Sequence, residues 1–269
     1  MTVSVIMLAL AVLPALVLSV YIYRKDTVEK EPVGMLFKAF LFGMMSCVPA
    51  ILLEMLLSTF DPQAPVLSGL WNGFVVAGFS EELCKLLLLS LAVWRSREFN
   101  EYFDGIVYAT FVSLGFASLE NIGYVFSTGD LAAALSTGVM RALLSVPGHF
   151  LFGVVMGYYF GLARFEPARR ERNLTKALLY PLALHGTFDA LLMIPESMSG
   201  ELQSIVAVVL FAAFIWFDIK LWKIGMRRMR ELQQLSKQQT NDDDSYGGSN
   251  LWGDDNYPTD PFKQIDWNI

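Results

Sequence analysis

The stretch "GFSEELCKLLLL", Gly78 to Leu89, sets two adjacent carboxylates and a lysine inside an otherwise apolar run over residues 69–93. A run of that length crosses a bilayer as a helix, which takes about 20 residues. Glu81, Glu82 and Lys85 then each cost several kcal/mol to bury unless they are paired or put to use.

Outward from this run the whole chain has the same character. It has 269 residues, 54% of them hydrophobic and 17% charged, with a mean hydropathy of +0.45, more apolar than a soluble core of this length needs. Six further stretches are long and apolar enough to span, at about 1–23, 34–57, 104–126, 139–163, 176–194 and 202–223. The first lacks a basic leading segment and runs too long before Arg24 for a signal peptide, so it counts as a span. The expectation is an all-α, polytopic membrane protein with about seven transmembrane helices.

The loops orient it. Arg24, Lys25 and Lys30 follow the first span, Arg95 and Arg97 the third, Arg164 to Lys176 the fifth, and Lys223 to Arg230 the seventh, whereas 58–68, 127–138 and 195–201 hold no Lys or Arg. Basic loops stay on the cytoplasmic side, which puts the N-terminus outside and the C-terminus inside, in a cell membrane. The net charge of -6 is local, since residues 241–269 hold seven Asp against one Lys. With no clustered basic residues there is no nucleic-acid partner to expect, and the partner surface is the lipid bilayer. The expected division is a transmembrane domain at 1–232 and a disordered acidic cytoplasmic tail at 233–269, too polar to fold alone. Trp252, Phe262 and Trp267 are scattered within that tail. Cys47 and Cys84 lie in separate apolar runs and read as free, buried thiols.

With a rise of about 1.5 Å per residue, every ionisable group inside a span acquires a depth. Glu81 and Glu82 fall near mid-membrane, Glu120 about 9 Å below the outer end, His149 about 15 Å in, and His185 and Asp189 about 13 and 8 Å in. Four helices thus place their acids and both of the chain's histidines in one layer, from the bilayer centre to its outer third. Phe116, Glu120 and Tyr124 share a stripe; Asp189 can hydrogen-bond His185 from one turn away; Lys85 faces both Glu81 and Glu82. The two glutamates diverge by about 100 degrees and therefore have different jobs. Pro147 and Gly148 loosen the helix beside His149. Glu54, Lys38, Arg141, Asp218 and Lys220 lie near span ends, where the expected role is snorkelling to the interface.

Such a layer suits hydrolysis by an activated water. One reading binds zinc through His149, His185 and Glu120, leaving an open position for water and Glu81 or Glu82 as base; the other binds no metal and lets a glutamate activate water directly. A rival from another class is a proton- or ion-coupled transporter using the same buried groups, although no duplicated halves are visible.

Five segments together are similar to the PrsW family of bacterial membrane peptidases, distant relatives of the CAAX prenyl endopeptidases: "YRKDTVEKEP" at 23–32, "EELCK" at 81–85, "FDGIVYATFVSLGFASLENIGY" at 103–124, "RALLSVPGH" at 141–149 and "HGTFDA" at 185–190. The resemblance implies a protease of the bacterial cytoplasmic membrane that makes the first, site-1, cut in a single-span membrane protein such as an anti-sigma factor. It implies Glu81, Glu82 and His185 as essential, with Glu120 and His149 completing the site and Asp189 orienting His185. The sequence leaves the oligomeric state open.

Overall fold

The computed structural model describes residues 2–128 and 130–245, and among them it is helical throughout, without strands. Helices α1 (Thr2–Lys25) and α2 (Val33–Ser58) come first. Pro65 opens α3 (Pro65–Trp71), which passes without a break through a π-helical stretch, Asn72–Phe79, into α4 (Ser80–Val93). After α5 (Asp104–Ser127), the side chain of Asp130 accepts from Ala133 N and starts α6 (Leu131–Met140); a second π-helical stretch, Arg141–Ser145, joins it to α7 (Val146–Phe165). Helices α8 (Arg170–Glu196) and α9 (Glu201–Ser245) follow.

Six of the seven expected spans are helices long and apolar enough to cross a membrane. The seventh rod, 65–93, has the length, but Asn72, Glu81, Glu82 and Lys85 dilute its hydropathy. The rod that carries the opening stretch is thus the one whose composition is compromised by its charges.

Helix α5 is the centre of the bundle and is buried over most of its length. Two glycines explain how close its neighbours come: a Cβ on Gly43 of α2 would lie 1.9 Å from Val112 O, and one on Gly115 of α5 would lie 2.0 Å from Phe40 O. Without a hydrophobic force between helices in lipid, such small-residue contacts and their dispersion energy supply the association. Trp94, Phe99, Phe150, Phe152 and Phe160 fill the core.

The basic loops gather at one end. Arg164 Nη1 donates to Trp94 O at 2.7 Å, Phe103 N donates to Ser236 Oγ at 2.9 Å and Gln239 Nε2 donates to Asn100 O at 2.8 Å. Helix α9 continues to Ser245, past residue 233 where the tail was expected to begin. The reason is docking, because Ser236 is fully buried and Leu232 and Leu235 join the main core. Composition alone had made 233–245 look unable to bury anything. The remainder of the tail, with Trp252, Phe262 and Trp267, lies outside the described residues. Cys47 and Cys84 are free and buried as expected, packed in one small cluster with Phe116.

Candidate active site

Each π-helical stretch delivers a helix into the same place. A π turn inserts a residue and shifts the phase of all that follows, a distortion found mostly at functional sites. Asn72–Phe79 ends immediately before Glu81 and Glu82, and Arg141–Ser145 ends shortly before His149. The first stretch is also pressed against α8: a Cβ on Gly73 would lie 2.8 Å from Ala190 N, and one on Gly186 would lie 2.9 Å from Phe74 Cα. That contact carries His185 to α4.

The expected residues converge into one network. Lys85 Nζ donates to Glu81 Oε2 at 2.9 Å and to Glu82 Oε1 at 2.8 Å, and lies 3.1 Å from His149 Nδ1. An ammonium has only donors, so Nδ1 of His149 accepts and its proton sits on Nε2, which donates to Glu120 Oε2 at 2.9 Å. His185 lies between acids, with Nδ1 at 2.8 Å from Glu82 Oε1 and Nε2 at 3.2 Å from Asp189 Oδ2. With both carboxylates ionised, both contacts are hydrogen bonds only when the ring carries two protons. All seven candidates, Glu81, Glu82, Lys85, Glu120, His149, His185 and Asp189, therefore belong to a single chain of contacts over four helices.

The two glutamates differ as their helical divergence requires. Glu81 lines a cavity of about 350 Å³ together with Glu120, His149, His185 and Asp189. Glu82 is fully buried behind it, with Oε2 lacking a partner among the described residues.

Arg141, read from the sequence as a snorkelling residue, is a member of the site. Its Nη2 lies 2.7 Å from Glu120 Oε2, its Nε donates to Asn121 Oδ1 at 2.6 Å, and its guanidinium stacks 4.0 Å over the Tyr124 ring. Lys85 sits 4.0 Å over the ring of Phe116. The stripe Phe116, Glu120, Tyr124 thus seats a cation on each aromatic face, with the carboxylate between them. The spacing of that stripe was visible; its pairing with Arg141 was not, because it is a contact between two different helices.

The donors whose atoms lie within 4.8 Å of one another are Glu81, Glu82, His149 and His185. Glu120, expected as a zinc ligand, is outside this group and is engaged by His149 Nε2 and Arg141. Two imidazoles and two carboxylates suit a divalent ion in kind. Lys85, however, already holds three of the four as their internal cation.

With this geometry in view, residues 31–217 match the model of a family described as PrsW family intramembrane metalloprotease. The chain is similar to a protein named Protease PrsW from Clostridioides difficile, 37% identical over 85% of this chain and 92% of that one. Proteins of the same name from Geobacillus kaustophilus and Bacillus subtilis are 34% and 33% identical over 87% and 84% of this chain, each covered over 95% of its length. No solved structure matches.

Proposed function

The chain belongs to the PrsW family of intramembrane metalloproteases, and from that premise we propose how its residues cut a membrane-protein substrate. It is a membrane endopeptidase and a multi-pass protein of the bacterial membrane. The observation that carries the proposed mechanism is the convergence of seven ionisable side chains from α4, α5, α7 and α8 in one network of contacts, five of them lining one cavity in the outer half of the bundle.

Glu81 faces that cavity and is the general base: it takes a proton from water as the water oxygen attacks the scissile carbonyl carbon. The developing oxyanion is met by the Arg141 guanidinium, held in place by Glu120, which His149 fixes from its other side. As the C–N bond breaks, Glu81 returns the proton to the leaving amine. Glu82 and Asp189 hold His185 from its two sides, and Lys85 bridges both glutamates. If a divalent ion is held, Glu81, Glu82, His149 and His185 would hold it once Lys85 withdraws, and it would make the bound water more acidic. The substrate is a single-span membrane protein, of the anti-sigma factor kind, cut at a site-1 position near the outer leaflet.

The test is coexpression with tagged single-span candidates, comparing Glu81→Gln, Glu82→Gln and His185→Ala with the parent. Cleavage that continues unchanged in all three would remove the mechanism. Proton-coupled solute uptake in proteoliposomes, lost in Glu120→Gln, would instead support the transporter reading of the same groups.

A further inference from the structure

A second cavity, of about 400 Å³, lies on the other side of Glu81. It shares Ala77, Glu81, Glu120, Tyr124 and Met193 with the first, so the two abut at the proposed base. A substrate strand whose scissile carbonyl sits at Glu81 therefore places a neighbouring side chain in the second cavity.

Its walls fix what fits. Ile51, Val76, Phe116 and Leu119 make them apolar, and three carboxylates face inward: Glu54, Glu81 and Glu120. Glu81 is held by Lys85, and Glu120 by His149 and Arg141. Among the described residues Glu54 has no hydrogen-bond or ion-pair partner, and of the charges that act on it through space the strongest is a like one, Glu120. A carboxylate left so in a low-dielectric wall is costly unless something arrives to pair with it. A largely apolar cavity with an unpaired acid in its wall matches a side chain with a long hydrocarbon stem and a cationic head.

We propose that this cavity is a subsite for a lysine or arginine of the substrate close to the scissile bond, with Glu54 as its counter-charge. The inference rests on the peptidase reading above. Glu54 lies one turn before Ser58, the end of α2, about 6 Å from the outer end of that helix. The substrate's cationic residue accordingly belongs at the outer boundary of its span, where Lys and Arg side chains already reach for the interface.

The experiment uses the full chain in proteoliposomes with a pool of single-span peptides randomised across the outer juxtamembrane segment, the products being read by mass spectrometry. Lys and Arg are expected at one position beside the cut, favoured over Gln by roughly tenfold, as a desolvated charge pair allows. Glu54→Gln should collapse that ratio, and Glu54→Lys should invert it toward Asp and Glu. Cleavage without a cationic preference, or a preference that Glu54→Gln leaves intact, overturns the subsite. A parent enzyme that cuts no peptide counts against the peptidase reading instead. In that case the affinity of Glu81→Gln protein for Lys- and Gln-bearing peptides, by fluorescence anisotropy, judges the subsite separately, and equal affinities overturn it.

Discussion

Two buried clusters of carboxylates at opposite depths of the bundle are treated in opposite ways. In the outer half, Glu81, Glu82, Glu120 and Asp189 each have a cationic or imidazole nitrogen at 2.7–3.2 Å. At the basic end, Asp26, Glu31 and Glu101 are equally hidden, at 1%, 5% and 6% exposure. Neither oxygen of Asp26 nor Oε2 of Glu101 has a hydrogen-bond partner among the described residues, and Glu31 accepts from the Tyr108 hydroxyl. Burial pushes Asp26 up to about 6 against the pull of Lys30, and it pushes Glu31 and Glu101 to about 7, with Asp26 adding to both. The same residue types thus sit beside fixed nitrogens in the outer half, whereas at the basic end burial without such a partner favours the protonated form. The first arrangement lines the cavity in which an acid can meet a substrate.

The sharpest way to break this comparison is to exchange one acid in each cluster. Glu81→Gln should lower substrate turnover by about 10² to 10⁴, the span of a lost general base, while Asp26→Asn should leave turnover unchanged. Similar losses in both, measured on the same coexpressed substrate, would mean that the outer cluster is not special.

Next in size is removal of the central cation. Lys85→Met strips the ammonium from both buried glutamates and leaves Glu82 only His185, and breaking a buried pair from one side costs about 3–5 kcal/mol. A large drop in the thermal midpoint in detergent is expected. The same variant should bind cobalt or zinc more tightly than the parent by elemental analysis, because the donors lose their internal cation. Parent protein that retains a full equivalent of metal with Lys85 present would show that the ammonium does not compete for those donors.

A smaller effect separates the clusters by pH. Asp26, Glu31 and Glu101 have folded-state pKa values above their ordinary 3.8 to 4.5, so the folded state binds more protons than the unfolded one. The stability they lend is complete below about 4 and is lost as pH rises through 6 to 7. The melting temperature should fall by a few degrees between pH 5 and pH 8, and Glu101→Gln should flatten that slope. A slope unaltered by the substitution would place its origin elsewhere. The mildest change expected is Tyr124→Phe, which keeps the ring beneath Arg141 and should alter turnover by less than about threefold, the size of a modest change in a cation–π contact.

What the amino-acid order determined by itself was everything carried by a single helix or a single loop. Hydropathy marked the spans, lysines and arginines marked the basic loops, and spacings of three and four joined Lys85 to Glu81 and Glu82, Asp189 to His185, and Phe116 to Glu120 and Tyr124. Those relations survive because 3.6 residues per turn is a local geometry. The tertiary structure alone decided which glutamate meets the cavity, that Arg141 and Glu54 are site and pocket residues, that Glu120 stands apart from the metal-capable donors, and that α9 continues through 233–245. Each of these depends on contacts between helices distant in sequence, and two π-helical stretches rotate the incoming helices out of the regular phase on which a periodic reading relies.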